Sequence, residues 1–171
     1  MIKNITFGLF VLFISTTVNA QWWGNGKRIK GNGNIVTVKR TTSNYDGIGV
    51  GGSFDVKLVK GKEGNITIEG EENIIPYIET EVKGNTLEIK YKKNTNISTT
   101  RKLTVTVTYS ELDKVSLGGS GNITNEGVLK SDDLKVSLGG LGNITLVLDV
   151  DEVKSSIGGS GNIKLNGKSN Q

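Results

Sequence analysis

A chain of 171 residues with 24 Gly, one Pro and a formal net charge of +4 is long enough for one compact domain, and its turns must be made by residues that accept unusual backbone angles. It contains no His and no Cys, which excludes serine–histidine and cysteine–histidine catalysis, thiolate zinc sites and disulfides. Carboxylate, lysine or tyrosine chemistry and oxygen-ligated hard metals remain open.

Residues 1–20 read as a signal peptide: Lys3 gives a basic start, residues 5–14 form an apolar run, and Val18-Asn19-Ala20 is a small-residue cleavage pattern. A membrane anchor needs about 20 apolar residues, and Ser15, Thr16 and Thr17 end this run early. No Cys follows to carry a lipid. Cleavage after Ala20 removes Lys3 and leaves 4 − 1 = +3 with no transmembrane span. The chain is thereby placed in the periplasm, on the outer membrane surface or outside the cell. Residues 21–33 are glycine-rich and read as a flexible segment, with Trp22 and Trp23 as a tail or as a cap folded over the sheet, ahead of a sugar-stacking pair.

From Asn34 onward apolar residues recur at every second position, as in Phe54, Val56 and Leu58 or Leu103, Val105 and Val107, the period of half-buried strands. Residues 34–110 therefore read as irregular strands. Gly47, Gly49 and Gly52 match G-x-G-x-x-G, yet the following segment, 53–59, alternates like a strand where a dinucleotide site needs a helix. A turn or bulge is the better reading. Residues 71–77, with Pro76, fit one helical turn with Ile74, Ile75 and Tyr77 packed under the sheet, and the Asn/Thr-rich stretch 92–101 reads as a loop. Glu69, Glu71 and Glu72 read as solvating charges, as do Asp149, Asp151 and Glu152 on a polar outer bend. Lysines alternate with acids, so no basic stripe for nucleic acid emerges.

Residues 111–171 carry the clearest signal. Segments 115–124, 136–145 and 155–164 repeat Gly-Gly-x-Gly-Asn-Ile, with first glycines at Gly118, Gly139 and Gly158, 21 and then 19 residues apart. Units of that length bury their apolar face by stacking on one another. Leu134, Val136 and Leu138 would point inward, Gly139 and Gly140 would make a corner where a Cβ clashes or φ turns positive, and Ile144, Leu146 and Leu148 would resume the inward face. Asn122, Asn143 and Asn162 fall at equivalent corners and fit an amide ladder. A calcium-binding β-roll would need Asp where this chain has Ile123, Ile144 and Ile163. Position 120 of the motif is Ser, as is 160, whereas the middle copy has Leu141. The fold expected is all-β, a β-solenoid-like stack of short strands with Gly-rich corners.

Tyr45-Asp46-Gly47-Ile48, Gly52-Ser53-Phe54-Asp55-Val56, residues 72–78 and the three glycine motifs together resemble the putative autotransporter adhesin head GIN domain family, a domain of unknown function common in exported proteins of Bacteroidetes-type bacteria. The match spans about 34–166, and makes 34–171 a single GIN-like domain. The resemblance implies a β-helix-like fold and an adhesin or cell-envelope role. Asn stands where the family often has Asp, and the chain carries three glycine motifs where members usually have more. The functional expectation is a non-enzymatic exported module that binds an envelope polymer or protein and self-associates through its C-terminal layer. No catalytic, cofactor or metal residue is assigned. The alternative is a carbohydrate-active protein, lectin-like or a polysaccharide lyase, using carboxylates such as Glu71, Glu72, Asp149 and Asp151.

Overall fold

The computed structural model describes residues 27–169; the leader, Trp22 and Trp23 lie outside the described residues. The alternating segments become strands β1 (Lys27–Lys30), β2 (Ile35–Thr41), β3 (Gly47–Gly51), β4 (Asp55–Lys60) and β5 (Asn65–Glu71). A single 3-10 turn, Ile75–Tyr77, leads into β6 (Ile78–Lys83), β7 (Thr86–Tyr91), β8 (Thr95–Ser98) and β9 (Thr104–Tyr109). The repeats supply β10 (Lys114–Leu117), β11 (Asn122–Glu126), β12 (Leu129–Leu138), β13 (Asn143–Ile157) and β14 (Asn162–Ser169). Twelve strands form one sheet, and β1 pairs with β8 separately. The fold is all-β, as the period-two alternation requires.

Two parallel ladders organise the repeats. On one arm Ile48, Val115, Val136 and Ser155 stand in register along β3, β10, β12 and the second half of β13. On the other, Val56, Ile123, Ile144 and Ile163 align along β4, β11, the first half of β13 and β14. The interior between the arms holds Leu117, Leu134, Val136, Leu138, Ile144 and Leu146, all essentially without exposure. Hydrophobic burial of this kind is the main stabilising term.

At each corner the backbones nest. A Cβ on Gly119, Gly140 or Gly159 would lie 2.0 Å from the carbonyl oxygen of Gly52, Gly119 or Gly140 in the layer before. Gly121, Gly142 and Gly161 face the same obstruction at 1.8 to 1.9 Å. The first glycine of the motif is different, since nothing lies within 4 Å of a Cβ at Gly139 or Gly158. The corner thus needs glycine for closeness, at the second and third glycines, and none of these residues has positive φ. Gly139, expected at the obstructed corner, stands in open space.

The asparagines form the expected ladder: Asn162 Nδ2 donates to Asn143 Oδ1 at 3.1 Å and Asn143 Nδ2 to Asn122 Oδ1 at 2.9 Å. Asn122 Nδ2 donates in turn to Asp55 Oδ1 at 2.7 Å. Asp55 reveals a fourth, degenerate layer, because β3 and β4 set Gly51-Gly52-Ser53-Phe54-Asp55-Val56 in register with residues 118–123. Phe54 occupies the third-glycine position and packs edge-on against Tyr91, 5.3 Å between centroids. The change in repeat length from 21 to 19 also has a local cause. Thr124 pairs with Thr145 but Leu129 with Leu148, so four residues, 125–128, span what two span in the next layer. Gly127 turns there at φ +70, and the Asn125 side chain replaces the missing ladder bonds, donating to Val147 O at 2.9 Å and accepting from Val147 N at 2.8 Å.

Away from the repeats the sheet turns antiparallel through β2–β5, β5–β9 and β6–β7, and these strands cover the layer formed by β7 and β9. The helical turn is present with Ile74 and Ile75 buried, and Arg40 ties it down by donating to Ile75 O at 3.0 Å and Ile78 O at 2.6 Å. Three sequence expectations change here. Residues 47–51 are strand β3, because Ile48 and Val50 keep the inward alternation and are buried while the glycines face outward. Residues 92–101 contain β8, and the described part of 21–33 contains its partner β1. Asp149–Glu152 lies within continuous β13, yet the buried face changes phase between Val150 and Val153, placing the turn between arms at Asp151 and Glu152.

Backbone nesting makes the two glycines of one corner unequal. Gly140→Ala is expected to lower unfolding free energy by about 3 kcal/mol or more, and Gly139→Ala by no more than about 0.5 kcal/mol, as read by denaturant unfolding.

Candidate binding surface

Among the described residues the ladder ends at β14 with an unpaired edge. Among the described residues β14 pairs only with β13, and residues 152–157 pair only with β12. Gly158, Ser160 and Asn162 donate their N–H groups back to Leu138, Gly140 and Gly142, so the odd-numbered N–H and C=O groups of this layer face away from it. Inward side chains are left uncovered with them. Ile157 is 54% exposed where its register partner Leu138 is 1% exposed, and Val153, Ile163 and Leu165 are partly buried where Leu134, Ile144 and Leu146 are fully buried. An unpaired edge with its own apolar strip is the geometry that accepts an added strand.

A concavity lies elsewhere. A groove of about 570 Å³ runs along Asp46, Glu111, Asp113 and residues 130–133, with Lys60 on its wall. Five carboxylates against two lysines give it 2 − 5 = −3. Lys60 Nζ donates to Ser110 O at 2.6 Å and Lys130 pairs with Asp149 at 3.1 Å, so both cations are engaged. Among the described residues no three acidic side chains converge as a metal ion requires.

Residues 44–171 match the family model described as "Putative auto-transporter adhesin, head GIN domain". The chain belongs to this GIN-domain family. Solved structures similar to it include a putative lipid binding protein from Parabacteroides distasonis, with 28% identity, a TM-score of 0.74, and 84% of this chain and 63% of that one covered. A putative adhesin from Bacteroides fragilis shares 25% identity with a TM-score of 0.77 over 82% of this chain and 66% of that one. A putative adhesin from Parabacteroides merdae, at 24% identity and a TM-score of 0.74 over 84% of this chain and 61% of that one, shows the same fold. The chain spans less than two thirds of the length of each of these three. No curated protein matches it.

In this GIN domain Glu71 and Glu72 stand apart from Asp149 and Asp151. Glu71, expected as a solvating charge, is 1% exposed. Its oxygens accept hydrogen bonds from Gly33 N at 2.7 Å, Thr100 N at 2.8 Å, Thr100 Oγ1 at 2.6 Å and Arg101 N at 3.3 Å. Burial pushes the carboxyl pKa up, but these donors, Thr100 foremost, outweigh it and hold it at about 2. Glu71 therefore fastens the segment after β1 and the segment after β8 to the end of β5. Glu72 accepts from Asn34 Nδ2 at 2.7 Å. Asp149 and Asp151 sit on β13, separated from β5 in the sheet by β9, β4 and β11, about 19 Å along the sheet at the usual strand spacing. Glycosidase carboxylates work at 5 to 10 Å, roughly half that.

Tyrosines and Asp55 are taken up in packing and hydrogen bonding. Tyr45 donates to Thr108 O at 2.8 Å, and burial with Glu63 nearby pushes its pKa up to about 12. Tyr109 is fully buried, and Tyr77 faces Lys27 and Lys92. Burial raises the Asp55 pKa, but Asn122 and Lys102 bring it below the ordinary carboxylate value. Leu141 is exposed as expected for a variable position between fixed glycines, at 68%.

Because the folded pKa of Glu71 is depressed, its stabilising contribution is complete above the ordinary value of about 4.5 and is lost as pH falls from there toward about 2. Glu71→Gln turns an amide N–H₂ toward backbone N–H groups, so a loss of about 1–3 kcal/mol is expected at neutral pH. Thermal unfolding from pH 7 down to about 2 should show the acid limb in the native chain and a flattened one in the variant.

Proposed function

We propose that the chain is an exported, non-enzymatic binding module, a short β-solenoid that engages its partner at the β14 end of the stack. The leader pattern in residues 1–20 supports export to the periplasm or cell surface, and membership of an adhesin-head family supports a binding role. In-register parallel stacking of the arms supports the solenoid reading. The observation that carries the proposal is the contrast between the two ends. One is covered by antiparallel strands, the 3-10 turn and Phe54 on Tyr91. The other, among the described residues, leaves a strand edge unpaired and apolar side chains exposed.

Hydrogen exchange on the dilute chain tests the open end. Amides of Ser155, Ile163 and Leu165 should exchange about a hundredfold faster or more than those of Val136, Ile144 and Leu146, one layer inside. Equal protection at both sets would overturn the proposal.

A further inference from the structure

Resting on that open end, we infer that its occupant is a second copy of this chain, joined end to end about a two-fold axis through the last glycine corner. The exposed layer has two arms, residues 152–157 and β14, meeting at residues 158–161. A two-fold axis there lays β14 of each copy antiparallel to residues 152–157 of the other.

Register follows from the pleat. The groups free to bond outward belong to odd-numbered residues, and the inward side chains, Val153, Ile157, Ile163 and Leu165, are odd-numbered too. Odd must therefore face odd across the axis, because a slip of one residue puts the apolar set on the solvent side. Centring on Ser160 satisfies this. It sets Ile163 opposite Ile157 and, on the outer face, Lys168 opposite Glu152. Centring one residue earlier would instead oppose Lys164 with Lys154, a like-charge contact. The charges of the two arms thus select one register: basic residues stand on β14 and the acidic Glu152 at the start of the other arm. The interface is isologous and closes as a dimer, so the edge that could template open-ended growth is consumed.

The test is sedimentation velocity on the full chain across a concentration series, with Glu152→Lys, Lys168→Glu and the double reversal. Lys168 is exposed and Glu152 is half-exposed, paired with Lys154 at 2.6 Å, and thermal unfolding confirms that each variant folds. The expected result is a dimer whose dissociation constant rises about tenfold for each single reversal and returns toward the native value for the double. Oligomers that keep growing with concentration would overturn the closed two-fold arrangement. So would a dimer indifferent to all three variants. A monomer at every concentration overturns the second copy as occupant, and edge exchange then separates the two ideas. Fast exchange at Ile163 and Leu165 leaves the open binding end standing, while slow exchange in that monomer removes both.

Discussion

Everything in the repeats depends on how closely two backbones approach at the glycine corners. Where Gly140 lies over Gly119 and Gly142 over Gly121, the space for a Cβ is already filled by a carbonyl oxygen of the preceding layer. That approach sets the vertical pitch at the corner equal to the ordinary spacing between hydrogen-bonded strands. The arms on either side then keep register, and side chains two residues apart stack into continuous apolar columns. The amide ladder from Asp55 to Asn162 lies along the same corner. It favours the aligned register, since a slip would strand each amide without its partner.

The two ends of the stack are treated by different chemistry. Toward the N-terminal strands the glycine column stops at Phe54, whose ring fills the volume that a further glycine layer would leave empty. A carboxylate, Asp55, terminates the amides, and antiparallel strands then use up the edge. Glu71 draws the outlying β1 and β8 segments onto this cap through backbone donors. At the other end none of these devices is seen among the described residues, and Ser155 occupies the position that Val136 holds one layer inside. A polar residue on an inward column fits a layer adapted to meet water or a partner.

The repeated corner was legible because glycine, asparagine and isoleucine recur at fixed offsets, and the alternation between copies assigned the inward face correctly. The fourth layer was hidden by two substitutions, Phe54 for glycine and Asp55 for asparagine, and by an offset of 67 residues between register partners such as Val56 and Ile123. β3 looked like a turn because three of its five residues are glycine, although Ile48 and Val50 still carried the strand period. β8 is four residues of mostly polar side chains, too short for periodicity to register. Glu71 could not be assigned from sequence at all. Its donors lie 29 to 38 residues away and are mostly main-chain N–H groups, which have no letter in the sequence.

The two surplus residues around Gly127 carry a consequence for how such chains vary. Asn125 bridges the gap with its own amide, so the layers above and below stay aligned while the loop bulges outward and exposes Val128. Length at this bend is decoupled from the pitch of the stack. Material can be gained or lost there, on one rim of the molecule, with the glycine corners left undisturbed, which makes that rim the natural place for the protein to acquire new surface chemistry.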